Sequence, residues 1–150
     1  MPIFRKATEL EIEEIAKIEA KVFTDAWSQK SIFETYQQAQ ALVAVAIEEK
    51  NVVGYCILYI ALDEGEIARI AVEPEWRKQG VGQGLLDYIC DWCKQHEVER
   101  LLLDVREGND SARRFYEKYG FVIDGIRKSF YENPKENAVL MSGNVDRLSH

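Results

Sequence analysis

Arg77-Lys78-Gln79-Gly80-Val81-Gly82 is the stretch on which the fold of this chain turns. It follows Ile67-Ala68-Arg69-Ile70-Ala71-Val72, which reads as a strand, and leads into Gly84-Leu85-Leu86-Asp87-Tyr88-Ile89, which reads as a helix. A glycine-bearing loop from a strand end to a helix start presents unpaired backbone N–H groups, backed by the positive end of the helix dipole, to an anion. A pyrophosphate fits such a loop. Gly80 and Gly82 let the backbone approach without a side chain in the way, and Arg77 and Lys78 add charge. The plain alternative is a ligand-free connection with solvated surface cations. No Gly-Lys-Ser/Thr ends the loop, which excludes a Walker-type phosphate site in its usual form. The chain before it also lacks the alternating strand and helix build-up of a dinucleotide-binding fold.

Downstream, the helix extends to about His96 with Val81, Leu85, Leu86, Ile89 and Cys93 on one stripe. Arg100 to Val105 reads as a fifth strand. After Gly108-Asn109-Asp110 comes a fourth helix, Ser111 to Tyr119, closed by Gly120 as a left-handed cap. Phe121 to Ile126 and Ala138 to Met141 form a closing antiparallel pair around the polar Glu132-Asn133-Pro134-Lys135-Glu136 loop. Upstream, Ile3 to Lys6 is a short strand, and Thr8-Glu9-Leu10-Glu11 has the capping-box pattern of a helix continuing through Ala20. Phe23 to Ser28 is an aromatic-bearing connector, and Ser28 caps a second helix over Gln29 to Gln38. Ala41 to Glu48 and Val52 to Leu62 are strands joined through Glu49-Lys50-Asn51. Asp63-Glu64-Gly65 turns into the fourth strand, Glu66 to Val72, which Glu73-Pro74-Glu75 ends. The order β-α-α-β-β-β-α-β-α-β-β describes an α/β fold, a mixed sheet with helices on its faces. Strands four and five, joined through the third helix, are parallel with a right-handed crossover.

The 150 residues read as a single domain, 1–150, large enough to bury a core without disulfides or metal. Hydrophobic residues at 47% and charged residues at 30% are ordinary for a globular chain, which argues against wholesale disorder. A formal charge of −7 repels nucleic acid and anionic membrane, so neither is an expected partner. The longest apolar stretch, Val52 to Leu62, is too short to span a bilayer, and Met1 to Lys6 has no signal-peptide layout. A cytoplasmic location is expected. Cys90 and Cys93 have the spacing of redox and zinc pairs, but they fall mid-helix with only His96 nearby. They read, like Cys56, as packing residues, and no metal site is expected. His150 ends the chain and is expected to fray.

Arg77-x-x-Gly80-x-Gly82 and, beyond it, Asn109-x-x-Ala112-x-x-x-Tyr116-x-x-x-Gly120-Phe121 together resemble the GCN5-related N-acetyltransferase family, over nearly the whole chain. Ile70-Ala71-Val72-Glu73-Pro74, Leu103-Asp104-Val105-Arg106 and Trp27-Ser28 are similar to members that acetylate the N-terminal alanine of a ribosomal protein. The resemblance implies an acyl-CoA N-acyltransferase fold with acetyl-CoA in a splay between strands four and five. Ile70, Ala71 and Val72 would meet the acetyl and pantetheine portion. Arg77, Lys78, Gln79, Gly80, Val81, Gly82 and Gln83 would cradle the pyrophosphate, with Asn109 and Tyr116 completing the cofactor site.

Acetyl transfer from a thioester to an amine needs a neutral amine, stabilisation of the carbonyl oxyanion, and a proton for the departing thiolate. The resemblance assigns the proton to Tyr116 as general acid and gives a backbone N–H near Ile70 to Val72 to the oxyanion. A phenol of pKa about 10 protonating a thiolate of pKa about 8.5 is uphill by about 2 kcal/mol, which proximity or tuning must supply. Asp104 stands where similar enzymes carry a glutamate general base; Glu66 and Glu73 are the other candidates. The plain readings are a core aromatic for Tyr116 and, for Asp104, a surface pair with Arg106 or a loop-facing carboxylate. Freeing an amine at pH 7 costs about 1 kcal/mol for a protein N-terminus and about 4.6 for lysine, which favours an N-terminal acceptor. The resemblance points to the N-terminal alanine of a small-subunit ribosomal protein, entering between Phe23 to Ser28 and Tyr131 to Asn137. Phe23, Trp27, Phe130 and Tyr131 read equally as packing residues. A small amine such as a polyamine or aminoglycoside is the alternative acceptor, and a non-catalytic acyl-CoA-binding sensor the alternative role.

Overall fold

The computed structural model describes residues 1–149, so the expectation for His150 lies outside the described residues. β1 (Ile3–Lys6) leads through a 3-10 turn at Glu9–Glu11 into α1 (Ile12–Val22). The Thr8 backbone N–H donates to Glu11 Oε1 at 2.7 Å, completing the capping box. Ile12, Ile15, Ile18 and Glu19 are the buried side of α1. α2 (Gln29–Tyr36) is capped by Ser28, whose hydroxyl accepts from the Ser31 N–H at 3.1 Å. β2 (Ala41–Glu48) and β3 (Asn51–Ala61) form a hairpin with Glu49 and Lys50 at φ 48° and 73°, the left-handed pair that a two-residue turn needs.

β4 (Glu64–Val72) starts earlier than the expected Asp63-Glu64-Gly65 turn allows, because Leu62 at φ 57° already reverses the chain. α3 (Val81–Gln95) likewise starts ahead of Gly84. Gly80 at φ 83° caps it, so Gly82 and Gln83 belong to its first turn and not to a loop. β5 (Arg100–Arg106) and α4 (Asp110–Tyr119) follow, with Gly120 at φ 117° ending α4. β6 (Val122–Tyr131) and β7 (Glu136–Asn144) are longer than their apolar cores suggest. β6 lies at the sheet edge and is exposed along most of its length, so no alternation marks its far half.

The seven strands make one sheet in the order β1-β2-β3-β4-β5-β7-β6, antiparallel everywhere except between β4 and β5. Helices cover both faces, so the central strands are apolar on both sides. Leu42, Ala44 and Leu58 pack with α3 and α4 residues such as Leu85, Ile89 and Tyr116. Val43, Val45, Tyr55 and Ile57 pack with Ile15 and Ile18 of α1 and Ile32 of α2. Among the described residues no helix is long and apolar enough to cross a membrane.

β4 and β5 part company part-way along. Glu64–Ile67 pair with Arg100–Leu103 in parallel. Beyond those rungs β4 stays bonded to β3 as far as Val72, and β5 to β7 as far as Arg106, but the two no longer bond to each other. Opposite β3, Leu58 faces Ile67 and Ile57 faces Arg69, so Ala68 is an extra residue in β4. Such a bulge bends its strand. Here the bend coincides with the opening of a wedge in the sheet.

Candidate active site

Ile70, Ala71 and Val72 lie on β4 beyond its last rung with β5. One edge of this segment has no strand partner, which leaves backbone N–H and C=O groups available to a ligand lying along it. The chain then turns through Pro74–Trp76 into the loop before α3. Lys78 and Gly80 both have positive φ, 62° and 83°, and Gln79 Nε2 donates to the Glu75 carbonyl at 3.0 Å, which fixes the loop on itself. The first bond within α3 runs from the Gly84 N–H to the Gly80 carbonyl at 3.0 Å. The N–H groups of Val81 and Gly82 therefore have no carbonyl of their own helix to bind. Arg77 and Lys78 are exposed and form no ion pair among the described residues.

Gly82 also sets how closely α3 approaches α4. A Cβ at this position would lie 3.2 Å from Phe115 Cζ. Asn109 caps α4, its Oδ1 accepting from the Ala112 N–H at 3.1 Å, which leaves Nδ2 and the second lone pair of Oδ1 for a ligand. An unpartnered strand edge, a helix start with a left-handed glycine and two unpaired cations suit an extended ligand carrying a diphosphate.

α4 brings Tyr116 to this assembly. Its ring is 6% exposed, tilted against Phe115 at 5.2 Å and edge-on to Phe121 at 5.6 Å between centroids. Its hydroxyl makes no hydrogen bond among the described residues. Burial pushes its pKa well above the usual phenol range, so it holds its proton at neutral pH. Asp104 sits on β5 between the buried Leu103 and Val105, so its side chain leaves from the opposite face of the sheet. Partial burial raises its pKa, and the nearby Arg127 pulls the other way. The two candidate proton carriers thus flank the wedge from its two faces.

Arg106 is no partner of Asp104. It ion-pairs with Glu136 at 3.3 Å, donates to the carbonyls of Glu132 and Pro134 at 2.9 Å each, and lies over the Tyr131 ring at 4.5 Å. The alternative reading of an Asp104–Arg106 surface pair fails because the loop after β6 takes up this guanidinium. Tyr131 is half-buried, and burial together with the Asp104 charge raises its hydroxyl to about 12. The two segments expected to wall an acceptor meet where Thr24 Oγ1 donates to the Asn133 carbonyl at 3.0 Å. Glu73 is engaged by Lys21 at 2.8 Å, and Glu66 belongs to the paired part of β4, opposite Leu102. Glu66 thus lies before the opening, and Glu73, next to Val72, is tied up by Lys21. Among the described residues no group of three or more His, Cys, Asp or Glu is placed to hold a metal ion. The three cysteines are free and buried.

One cluster escaped the sequence reading. Glu19, fully buried on α1, accepts from the Tyr55 hydroxyl and, through Oε2, from the Trp27 N–H at 2.9 Å. Arg69 Nε lies 2.9 Å from the same Oε2, but its N–H points off that line, so the contact is an ion pair and not a hydrogen bond. Two signals were present. Glu19 occupies an apolar-stripe position of its helix, and Arg69 interrupts an otherwise apolar strand.

The sequence profile described as the acetyltransferase (GNAT) family matches residues 12–121. The chain is similar to the ribosomal protein bS18-alanine N-acetyltransferase of Haemophilus influenzae, 34% identical over 145 residues, covering 95% of this chain and 98% of that one. Its fold is similar to the crystal structure of the ribosomal-protein-S18-alanine N-acetyltransferase from Escherichia coli, with a TM-score of 0.89 at 26% identity over 97% of this chain and 94% of that one. It is also similar to the structure of Ard1 from Thermoplasma volcanium, with a TM-score of 0.88 at 28% identity, covering 95% and 97% respectively. With its motifs, its wedge and these relatives in agreement, the chain belongs to the GNAT acetyltransferase family and is an N-acetyltransferase.

Proposed function

We propose that the protein transfers the acetyl group of acetyl-CoA to a protein N-terminal α-amino group, that of the N-terminal alanine of a small-subunit ribosomal protein, in the cytoplasm. The observation that carries this reading is the wedge between β4 and β5, with a diphosphate-suited helix start beside it and Asp104 and Tyr116 on its two sides. The open edge at Ile70, Ala71 and Val72 would hold the acetyl and pantetheine arm, and Arg77 to Gln83 the diphosphate. When bound, acetyl-CoA supplies an activated acyl carbon and a thiol leaving group.

The chain's own residues supply the rest. Asp104, with a pKa raised toward working pH, is a better general base than an ordinary aspartate and takes a proton from the incoming ammonium, directly or through a water. Tyr116 is the proton donor to the departing sulfur; burial raises its hydroxyl further above a thiol, so proximity rather than tuning has to drive that transfer. An α-amine is the acceptor such a base suits, since freeing it at pH 7 costs about 1 kcal/mol against about 4.6 for lysine. The bS18-alanine specificity carried by the relatives' names points to the same class of acceptor.

The test is mass spectrometry of products from purified protein, acetyl-CoA, a panel of N-terminal peptides and a panel of polyamines and aminoglycosides. Acetylation of the α-amine of Ala-starting peptides supports the proposal. Acetylation of small amines alone overturns its acceptor assignment, and no turnover with either panel overturns it as a catalyst of this reaction.

A further inference from the structure

Arg69 is the first β4 residue past the bulge, and it stands beyond the last rung shared with β5. Its side chain is 12% exposed and turns toward α1. Besides the Glu19 ion pair, Nη2 donates to the Asp25 carbonyl at 2.9 Å and lies 3.3 Å from Asp25 Oδ1. The guanidinium also sits 4.2 Å from the centroid of the Phe23 ring and 5.2 Å from that of Trp27. Every one of these connector residues lies between α1 and α2, in a segment with little burial of its own: Thr24, Asp25 and Ala26 are exposed, and Phe23 and Trp27 only half-buried. A planar guanidinium can bond a carboxylate, bond a carbonyl and stack on two rings at once, which a lysine cannot do. The connector is therefore fastened to the open strand by one side chain.

We propose that Arg69 is the positioning residue of the acceptor wall: through Phe23, Asp25 and Trp27 it fixes the connector against the open part of β4 and so sets affinity for the acceptor peptide. This rests on the reading of the connector as one wall of the acceptor slot. Arg69 acts through its neighbours, so affinity for acetyl-CoA and the rate of the bound complex do not depend on it.

The experiment compares unmodified protein with R69K and D25N. Steady-state kinetics are run with an Ala-starting peptide and acetyl-CoA varied separately, alongside hydrogen exchange over residues 23–28. R69K is expected to raise the peptide KM about tenfold, to leave kcat and the acetyl-CoA KM within about twofold, and to speed exchange in the connector. D25N removes an exposed anchor and strands no buried charge, so it keeps the question open should R69K fail to fold; a peptide KM raised about threefold is expected. An unchanged peptide KM in both variants, or a fall in kcat at fixed peptide KM, overturns the inference. If the unmodified protein acetylates no peptide, the proposed function falls while the exchange measurement still decides this one: connector protection unchanged in both variants overturns it.

Discussion

Replacing Tyr116 with Phe separates the two jobs a buried tyrosine can do. The ring contacts with Phe115 and Phe121, at 5.2 and 5.6 Å, survive the change because Phe presents the same ring. Among the described residues the hydroxyl donates to none, so the usual loss of about 0.5–1.5 kcal/mol for a broken hydrogen bond does not arise. Relief of a desolvated polar group moves the balance toward the variant. With about 1 kcal/mol worth about 2–4 °C at this chain length, the expected change in Tm lies between zero and about +4 °C. Turnover behaves oppositely. Loss of a general acid costs about 10²–10⁴-fold in kcat, which is about 2.7–5.4 kcal/mol of transition-state stabilisation. Calorimetric melting and product mass spectrometry measure the two quantities on one preparation. Undiminished kcat in the Phe variant would leave Tyr116 a core aromatic and remove the acid from the mechanism. A Tm lower by more than about 5 °C would mean that the hydroxyl holds the fold together.

Asp104→Asn tests the base and carries a definite sign for stability. Burial raises this carboxyl, so over the interval from the ordinary aspartate pKa to the raised one the folded protein holds a proton the unfolded chain has released. Stability falls as pH rises through that interval, and the penalty persists at pH 7. The Asn variant is therefore expected to lose about 10²–10⁴-fold in kcat/KM while its Tm at pH 7 holds or rises; a lower Tm with activity intact contradicts both parts. Gly84→Ala places a Cβ 2.1 Å from Phe4 Cζ, and the displaced ring outweighs the gain of about 1 kcal/mol in helix propensity. A thermal melt is expected to show a Tm lower by about 3–10 °C, and a rise would show that β1 yields freely. Burial raises the thiols of Cys56, Cys90 and Cys93, the last to about 12, so native protein at pH 8 is expected to give no reaction with a disulfide reagent until urea exposes them.

The order of elements and three of the caps were readable because each rests on local chemistry: Thr8 with Glu11, Ser28 ahead of α2, Gly120 at the end of α4. Strand limits were less so. Leu62 takes a left-handed conformation that nothing in Leu advertises, and edge strand β6 has no buried face to impose alternation on its second half. The wedge was expected only through the family resemblance that the paired motifs carry; the glycines by themselves announce local backbone geometry. What they could not announce was the partner of each charge. Arg106 looks like a neighbour for Asp104 by strand spacing, yet a loop far along the chain claims it. Glu19 and Arg69 lie on elements distant in sequence, and only the packing of α1 over β4 makes them one cluster.

Among the described residues, β4 and β5 are paired through four rungs of their ladder. The sheet is accordingly two panels, β1 to β4 and β5 to β7, joined by backbone pairing at one end and unjoined at the other. Any molecule whose length bridges both panels acts as mortar between them, and a species present at a hundred times its dissociation constant adds about 2.7 kcal/mol to the folded state. The protein's melting point then serves as a gauge of how full it is.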